Sequence, residues 1–436
     1  MEKINNKYLD VTLVIFFSLL IILSRPFVGI YIFRFRLGEL LIGASLVMFF
    51  FIIYKKNTLP DEFKFVANNL ILILFSFLIS LFLDDAFSFS DYIFKSSSYI
   101  WSIGFILIGY FYKFNLKNLT YYLSVSLIIL YIFNTIFYPD FIISFFMNYA
   151  DKFELSKASN LLISLIFVNV INYYINKNDN FVCYYFIIST SLFLPLLLFN
   201  SRGSFIALIF FILIYIIYRR EVLFVNIKTS LIYLILFGLI FITSTYNIFG
   251  ELDFSKRSKN EVIEVSSVSD NLSKLVENKN TVDVFLSFFI YEGRIYSRDG
   301  TTDWRLDIWQ DIVEDLNNKN QIVFGYGYSE ILPIMVDPAA PGRLGEDGLN
   351  ENVHNYLFTI LARGGLVQLI IFIYFHLKLF LLFKSKFKNS FVLILILPAM
   401  FNAFLDVAME SVQFPILYYV LLGYMLSTKD NSNNNL

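Results

Sequence analysis

The chain predicts an all-α fold: a polytopic integral membrane protein of about twelve crossing helices, with one large extracytoplasmic loop that contains amphipathic helices. Three observations predict it. Of 436 residues, 57% are hydrophobic and only 16% charged, and the mean hydropathy of +0.65 is outside the range of soluble domains. Apolar runs of membrane-crossing length recur along the chain. The basic residues of the short connections fall on alternate loops, the pattern that sets orientation in a membrane.

The runs lie at about 10–24, 37–54, 66–83, 98–112, 119–138, 159–176, 181–199, 203–218, 229–249, 366–383, 390–408 and 412–427. No Ala-x-Ala cleavage site follows the first, which therefore reads as a retained span. With a cytoplasmic N-terminus, the inner loops carry Lys55, Lys56, Lys64, Lys113, Lys117, Lys177, Arg219, Arg220, Lys228, Lys384, Lys386 and Lys388. The alternate loops carry Asp84, Asp85, Asp91, Asp140, Asp151 and Glu154. Both termini are expected inside. The 52 phenylalanines and 29 tyrosines fit lipid-facing bulk and interfacial belts. The single cysteine, Cys183, lies in an apolar run, so no intrachain disulfide or cysteine metal site is implied.

This divides the chain into residues 1–249 with the first nine spans, a loop at 250–353, and residues 354–436 with an interfacial helix and three further spans. The loop carries 19 acidic and 10 basic side chains. Its first half, "SKRSKNEVIEVSSVSDNLSKLVENKN", is polar and expected to be irregular. Its second half holds an amphipathic helix at 301–318, where Trp304, Ile308, Trp309, Ile312, Val313 and Leu316 recur at helical spacing. Thr302 or Asp303 is expected to cap its start. Arg305 lies within the apolar stripe, so the helix aims one guanidinium at whatever that face covers, expected to be the outer surface of the bundle. Gly325 and Gly327 in "FGYGYSE" read as a tight turn.

Arginines on the outer side run against the positive-inside pattern. Arg25, Arg34 and Arg36 fall in "SRPFVGIYIFRFRLGE" and Arg202 in the short turn "FNSRGSFIAL", neither of which contains lysine. The planar guanidinium suits phosphate and stays charged near apolar surroundings. Arg25 suits snorkelling to lipid headgroups, and Glu39 can pair with Arg36. One of only two histidines, His354, stands where the polar loop meets an apolar run in "ENVHNYLFTILARGG". Gly364 and Gly365 should break the helix that His354 opens, leaving a short interfacial helix with Leu357, Phe358 and Leu361 on its apolar face. An imidazole near its reference pKa of about 6.5 can accept a proton at neutral pH. His376 lies mid-span and reads as a packed core residue, so no metal site is expected. No nucleophile-elbow pattern supports serine catalysis at Ser201. Asn402, Asp406 and Glu410, at spacing four, read as a polar stripe near the outer end of the eleventh span.

These residues resemble a family. "HNYLFTILARGG" is similar to the His-Asn motif of the O-antigen ligase and O-antigen polymerase superfamily, "SRGSFIAL" to its arginine turn, and "WRLDIW…FGYGYSE" to its Arg…Trp helix and Gly-x-Gly. The large loop ahead of the histidine is also in the family's place. Ile206 stands where leucine is common, and Gln368 where a further glycine often falls. The resemblance covers about 200–366 and the overall topology.

It implies metal-independent glycosyl transfer without a cofactor, on the outer face of the bacterial inner membrane, from an undecaprenyl-pyrophosphate-linked glycan. Arg202 and Arg305, with Arg34 and Arg36, would receive the pyrophosphate. His354 would act as base toward a sugar hydroxyl. Asn355 would hold the acceptor or orient the ring, and Asp406 and Glu410 would hold glycan hydroxyls, with solvation of the helix end the alternative. Membrane lipids and a polysaccharide chain-length regulator are the further partners implied, and no nucleic acid. The Phe/Ile/Asn/Lys/Tyr-rich composition resembles that of polymerases joining repeat units of O-antigen or capsular polysaccharide; the alternative is a ligase transferring glycan to lipid A-core. A lipid-linked-oligosaccharide flippase is the rival of another class, disfavoured by the hundred-residue loop and the lack of a two-fold repeat between halves.

Overall fold

Each apolar run is a helix, or a series of short ones, in the computed structural model, which describes residues 7–84, 87–112, 117–150, 153–176, 179–250, 287–340, 342–345, 348 and 350–427. The polar first half of the large loop lies outside the described residues. The helices are α1 (Lys7–Val28), α2 (Leu37–Tyr54), α3 (Asp61–Phe82), α4 (Asp91–Ser96), α5 (Ser98–Trp101), α6 (Ile106–Phe111), α7 (Lys117–Thr135) and α8 (Asp140–Tyr149). There follow α9 (Ala158–Ile175), α10 (Asp179–Asn200), α11 (Arg202–Leu223), α12 (Ile227–Phe249), α13 (Gly300–Asn318), α14 (Tyr356–Phe387), α15 (Leu393–Leu405) and α16 (Gln413–Ser427). A 3-10 turn, Ser102–Phe105, joins α5 to α6.

Among the described residues, seven helices are long and apolar enough to cross a membrane alone. α7 and α8 qualify together as a pair bent by 90°. The bend follows from Pro139, the N-cap of α8, which restrains the residue before it from helical geometry. α15 is a correction to the expected run at 390–408, because only Leu393–Leu405 is helical and Asp406 is extended (φ −151°, ψ 163°). Asn402, Asp406 and Glu410 therefore do not form one helical stripe.

Two antiparallel hairpins join the helices: β1 (Tyr31–Ile32) with β2 (Phe35–Arg36), and β3 (Phe288–Tyr291) with β4 (Arg294–Ser297). The second turns through Glu292 and Gly293, both at positive φ (48° and 82°), as a two-residue hairpin turn of matching twist requires.

The bundle is layered by burial. α9 and α16 are buried along nearly their whole length, whereas α12 exposes most of its surface and lies at the rim. α16 packs closely on α6: a Cβ on Gly109 would lie 1.8 Å from the Val420 carbonyl, and one on Gly423 2.1 Å from that of Ile106. Reciprocal glycines thus let two backbones touch, a packing mode that serves where lipid supplies no hydrophobic drive. A second apolar core joins the loop to the bundle. Ile308, Trp309, Ile312 and Leu316 of α13 pack with Leu332, Ile334, Met335 and Val353 onto Leu361 and Ala362 of α14. Each buried aliphatic side chain there contributes about 1.5–3 kcal/mol.

Candidate active site at the His354 corner

The amphipathic helix α13 forms as its periodicity predicts, but its N-cap is Asp299, whose carboxylate accepts from the Thr302 amide at 3.2 Å. Asp303 instead accepts from the Ser297 amide. Its acidic face is clamped: Arg343 is buried and pairs with Asp307 and Asp311, and Arg294 reaches Asp311 at 2.6 Å. With its back so held, α13 presents its apolar stripe to the bundle. Trp309 donates from Nε1 to the Val353 carbonyl at 2.7 Å and stacks on Phe358, with centroids 5.4 Å apart. Arg305 comes along with that stripe. Its Nη1 donates to the Leu405 carbonyl at 2.7 Å, and its Nε is buried without a partner among the described residues. Burial lowers its pKa, and Asp406 and Asp299 oppose that shift.

The Leu405 carbonyl is where the elements converge. α15 ends there, and Asp406 follows at once. A Cβ on Gly203, the residue after Arg202, would meet the Leu405 side chain at 3.0 Å, so the start of α11 lies at the same place. Ser201 caps α11, its Oγ accepting from the Ser204 amide, and Ser204 in turn accepts from Asn402 Nδ2 at 2.6 Å.

His354 stands across from Asp406, in the left-handed region (φ 55°), a turn that delivers the chain from the loop into α14. Its Nε2 lies 3.1 Å from Asn350 Oδ1, its Nδ1 4.0 Å from Asp406 Oδ1, and the Trp304 ring meets it edge-on at 5.3 Å. With Asn350 Oδ1 accepting, the proton sits on Nε2 and the lone pair on Nδ1. That Nδ1 is shut off from solvent and has no hydrogen-bond partner among the described residues. Burial, then the Arg305 charge, hold the imidazole pKa down at about 4 against the upward pull of Asp406; Lys157 adds to the depression. The expectation of an ordinary value near 6.5 is thus corrected, because a cation costs more here than in water. The ring is neutral at neutral pH.

Asn355 is buried and caps α14, its Oδ1 accepting from Leu357 N at 3.0 Å and Phe358 N at 3.3 Å. Glu410 reaches the same turn, 2.8 Å from Thr359 Oγ1. Burial raises its pKa to about 7, and the neighbouring Asp406 adds to the rise. Arg34 and Arg36 lie on the exposed β1–β2 hairpin. The Arg36 amide donates to Glu39 at 3.0 Å as part of the α2 cap, so Glu39 does serve Arg36, through the backbone. The hairpin's base nears this region, since a Cβ on Gly38 would meet Val412 at 3.1 Å. Arg25 pairs with Glu154. His376 is buried and its Nδ1 bonds the Phe372 carbonyl at 2.9 Å, as a packed core residue should.

Two residues escaped the sequence reading. Lys157, the N-cap of α9, brings its charge to bear on His354. A lone lysine between Glu154 and an apolar run on the acidic side was the signal. Arg363, between the loop and the Gly364–Gly365 break, is buried and donates to the carbonyls of Gly327 and Glu330 and to Tyr92 Oη. The Gly-x-Gly segment is more than a turn. Tyr326 N donates to the Ala362 carbonyl and Leu366 N to that of Ile322, so loop and helix share backbone bonds across the break at Gly365 (φ 67°, ψ −171°). Gln368 fills the glycine-like position with a buried network, accepting from Tyr99 Oη at 2.9 Å and Tyr328 Oη at 2.6 Å.

α9, α11 and α14 all begin at this corner, and helix N-termini carry partial positive charge suited to anions. Together with Arg305 and Lys157 the corner favours an anionic ligand beside a neutral imidazole. No curated protein matches the chain. Residues 186–373, spanning Arg202, Arg305 and His354, match the family model described as O-antigen ligase. The chain thus carries an O-antigen-ligase-like region at residues 186–373, and its described residues include seven helices long and apolar enough to cross a membrane.

Proposed function

We propose that the protein polymerises undecaprenyl-pyrophosphate-linked oligosaccharide repeat units into O-antigen or capsular polysaccharide at the outer face of the inner membrane, with both termini cytoplasmic. The observation that carries the reading is the bare, neutral Nδ1 of His354, 4.0 Å from Asp406 and beside Arg305. A sugar hydroxyl can donate its one hydrogen to Nδ1, while Asp406 accepts from a neighbouring hydroxyl of the same sugar. The acceptor sugar hydroxyl gives its proton to Nδ1 as its oxygen bonds to the donor's anomeric carbon. The bond from that carbon to the pyrophosphate oxygen breaks, and the pyrophosphate leaves with the electron pair. Arg305 and Arg202 receive the charge, with Lys157 and the helix N-termini behind them. Arg34 and Arg36 meet the lipid-linked end at the rim, and Asn355 and Asp406 orient glycan. A chain-length regulator is the protein partner proposed.

Purified protein given only lipid-linked repeat units should yield a ladder of longer lipid-linked glycans. Chelator should leave it intact, since no three His, Cys, Asp or Glu side chains cluster as metal ligands among the described residues. The family description favours a second reading, a ligase transferring glycan to lipid A-core. A ligase would make no ladder and would give product only once lipid A-core was added; that outcome would overturn the polymerase reading.

A further inference from the structure

Glu410 lies between α15 and α16, behind the His354–Asn355 corner. Its Oε1 is 2.8 Å from Thr359 Oγ1, and Oε2 is shut off from solvent with no hydrogen-bond partner among the described residues. Thr359 is buried, and the same hydroxyl lies 3.0 Å from the Asn355 carbonyl. A hydroxyl has one hydrogen, so it cannot donate fully to both oxygens. If Glu410 is ionised, Thr359 must turn its hydroxyl hydrogen to the carboxylate and leave the Asn355 carbonyl to the Thr359 amide alone, 2.9 Å away. The second carboxylate oxygen then carries charge in a dry place, which is costly. If Glu410 is protonated at Oε1, it donates to Thr359, Thr359 donates to Asn355, and each hydrogen has one acceptor. Burial outweighs the Thr359 hydroxyl and the Glu410 and Ala408 amides, which favour the ion, and the titratable groups facing it, Asp406 from its own segment, Tyr356 from α14 and Tyr99 from α5, supply no positive charge.

We propose that Glu410 works as a neutral carboxylic acid, a positioning residue that holds the Asn355 turn, and through it His354, by a directed relay Glu410→Thr359→Asn355. Its direction reverses when the proton leaves. A raised carboxyl pKa of about 7 accords with this and sets where the reversal occurs. Below it the corner is held. As pH rises through it, the side-chain bond to the Asn355 carbonyl is lost and the turn is left to its backbone and cap bonds.

The activity arm rests on the proposed transfer reaction, and a spectroscopic arm does not. Full-length protein with lipid-linked repeat units, assayed from about pH 5.5 to about pH 8.5, should lose transfer as pH rises through about 7. Glu410→Gln, whose amide donates at every pH, should be active below that limb and lack the limb itself. Glu410→Ala and Thr359→Val should lose roughly 10²-fold at all pH, the cost of a slightly misplaced reacting group, whereas Thr359→Ser should restore the relay. Infrared spectra of substrate-free protein at about pH 6 should show a protonated-carboxyl band that vanishes in Glu410→Gln and titrates near 7. Loss of activity in Glu410→Gln equal to that in Glu410→Ala would show that a carboxylate is required and overturn the proposal. So would persistence of the limb in Glu410→Gln, or the absence of the band. If wild-type protein makes no product, the transfer reading fails, and the infrared result alone decides Glu410.

Discussion

His354 shows what burial does to a base. Burial against Trp304, and then the neighbouring guanidinium, disfavour the imidazolium, so the ring is a weak base that stays unprotonated at neutral pH. Protonation removes the lone pair only as pH falls through about 4, so the acid limb of transfer should lie near pH 4 rather than near the reference value of about 6.5. His354→Ala should reduce transfer by roughly 10²- to 10⁴-fold with expression intact and should remove that limb. Near-normal long polymer from this variant would reduce His354 to packing. An acid limb at the reference value would mean that the ring is more solvated than its hydrogen bonds require.

At the scale of elements, the break in α14 is built from both sides. Gly365 has positive φ, and a Cβ there would lie 2.2 Å from the Val323 carbonyl; one on Gly325 would lie 2.6 Å from that of Ala362. Two chains can share backbone hydrogen bonds at this distance only where neither carries a side chain. Gly365→Ala should cost about 1–3 kcal/mol in strain alone. It should lower the thermal inactivation midpoint and loosen the loop, read as faster proteolysis near Val323. Gly43→Ala, with nothing within 4 Å of the new Cβ, is the control. Equal midpoints for the two variants would mean that the loop is not held at the break. Gln368 explains why the glycine expected at its position is dispensable: its side chain ties Tyr99 to Tyr328 and fills the space.

The whole molecule is a bundle with a loop domain fixed over one end, and its function depends on which side that end faces. The alternation of basic and acidic loops predicts the outer side. A reporter fused after Asn278 should read outside and one after Lys386 inside. The reverse would place the corner in the cytoplasm, where nucleotide sugars become the expected donors. The acidic loop on one side and the lysine-rich connections on the other make the prediction a sharp one.

The sequence by itself determined that the apolar runs are helical, the amphipathic α13, the inward Arg305 and the break at Gly364–Gly365, though of the twelve expected crossings seven described helices, or eight with the bent pair, are long and apolar enough to span. Each follows from hydropathy, period or backbone freedom within a few residues, and such local terms survive folding in lipid. Only the tertiary structure decided that α15 stops at Leu405, that the Asn355 side-chain oxygen caps α14, that Lys157 and Arg363 lie against the loop and the corner, and that burial holds the His354 pKa down and pushes the Glu410 pKa up. The reason is the range of the forces. Desolvation and charge at the corner come from α9, α13, α14 and α15 at once, and no window along the chain contains them all.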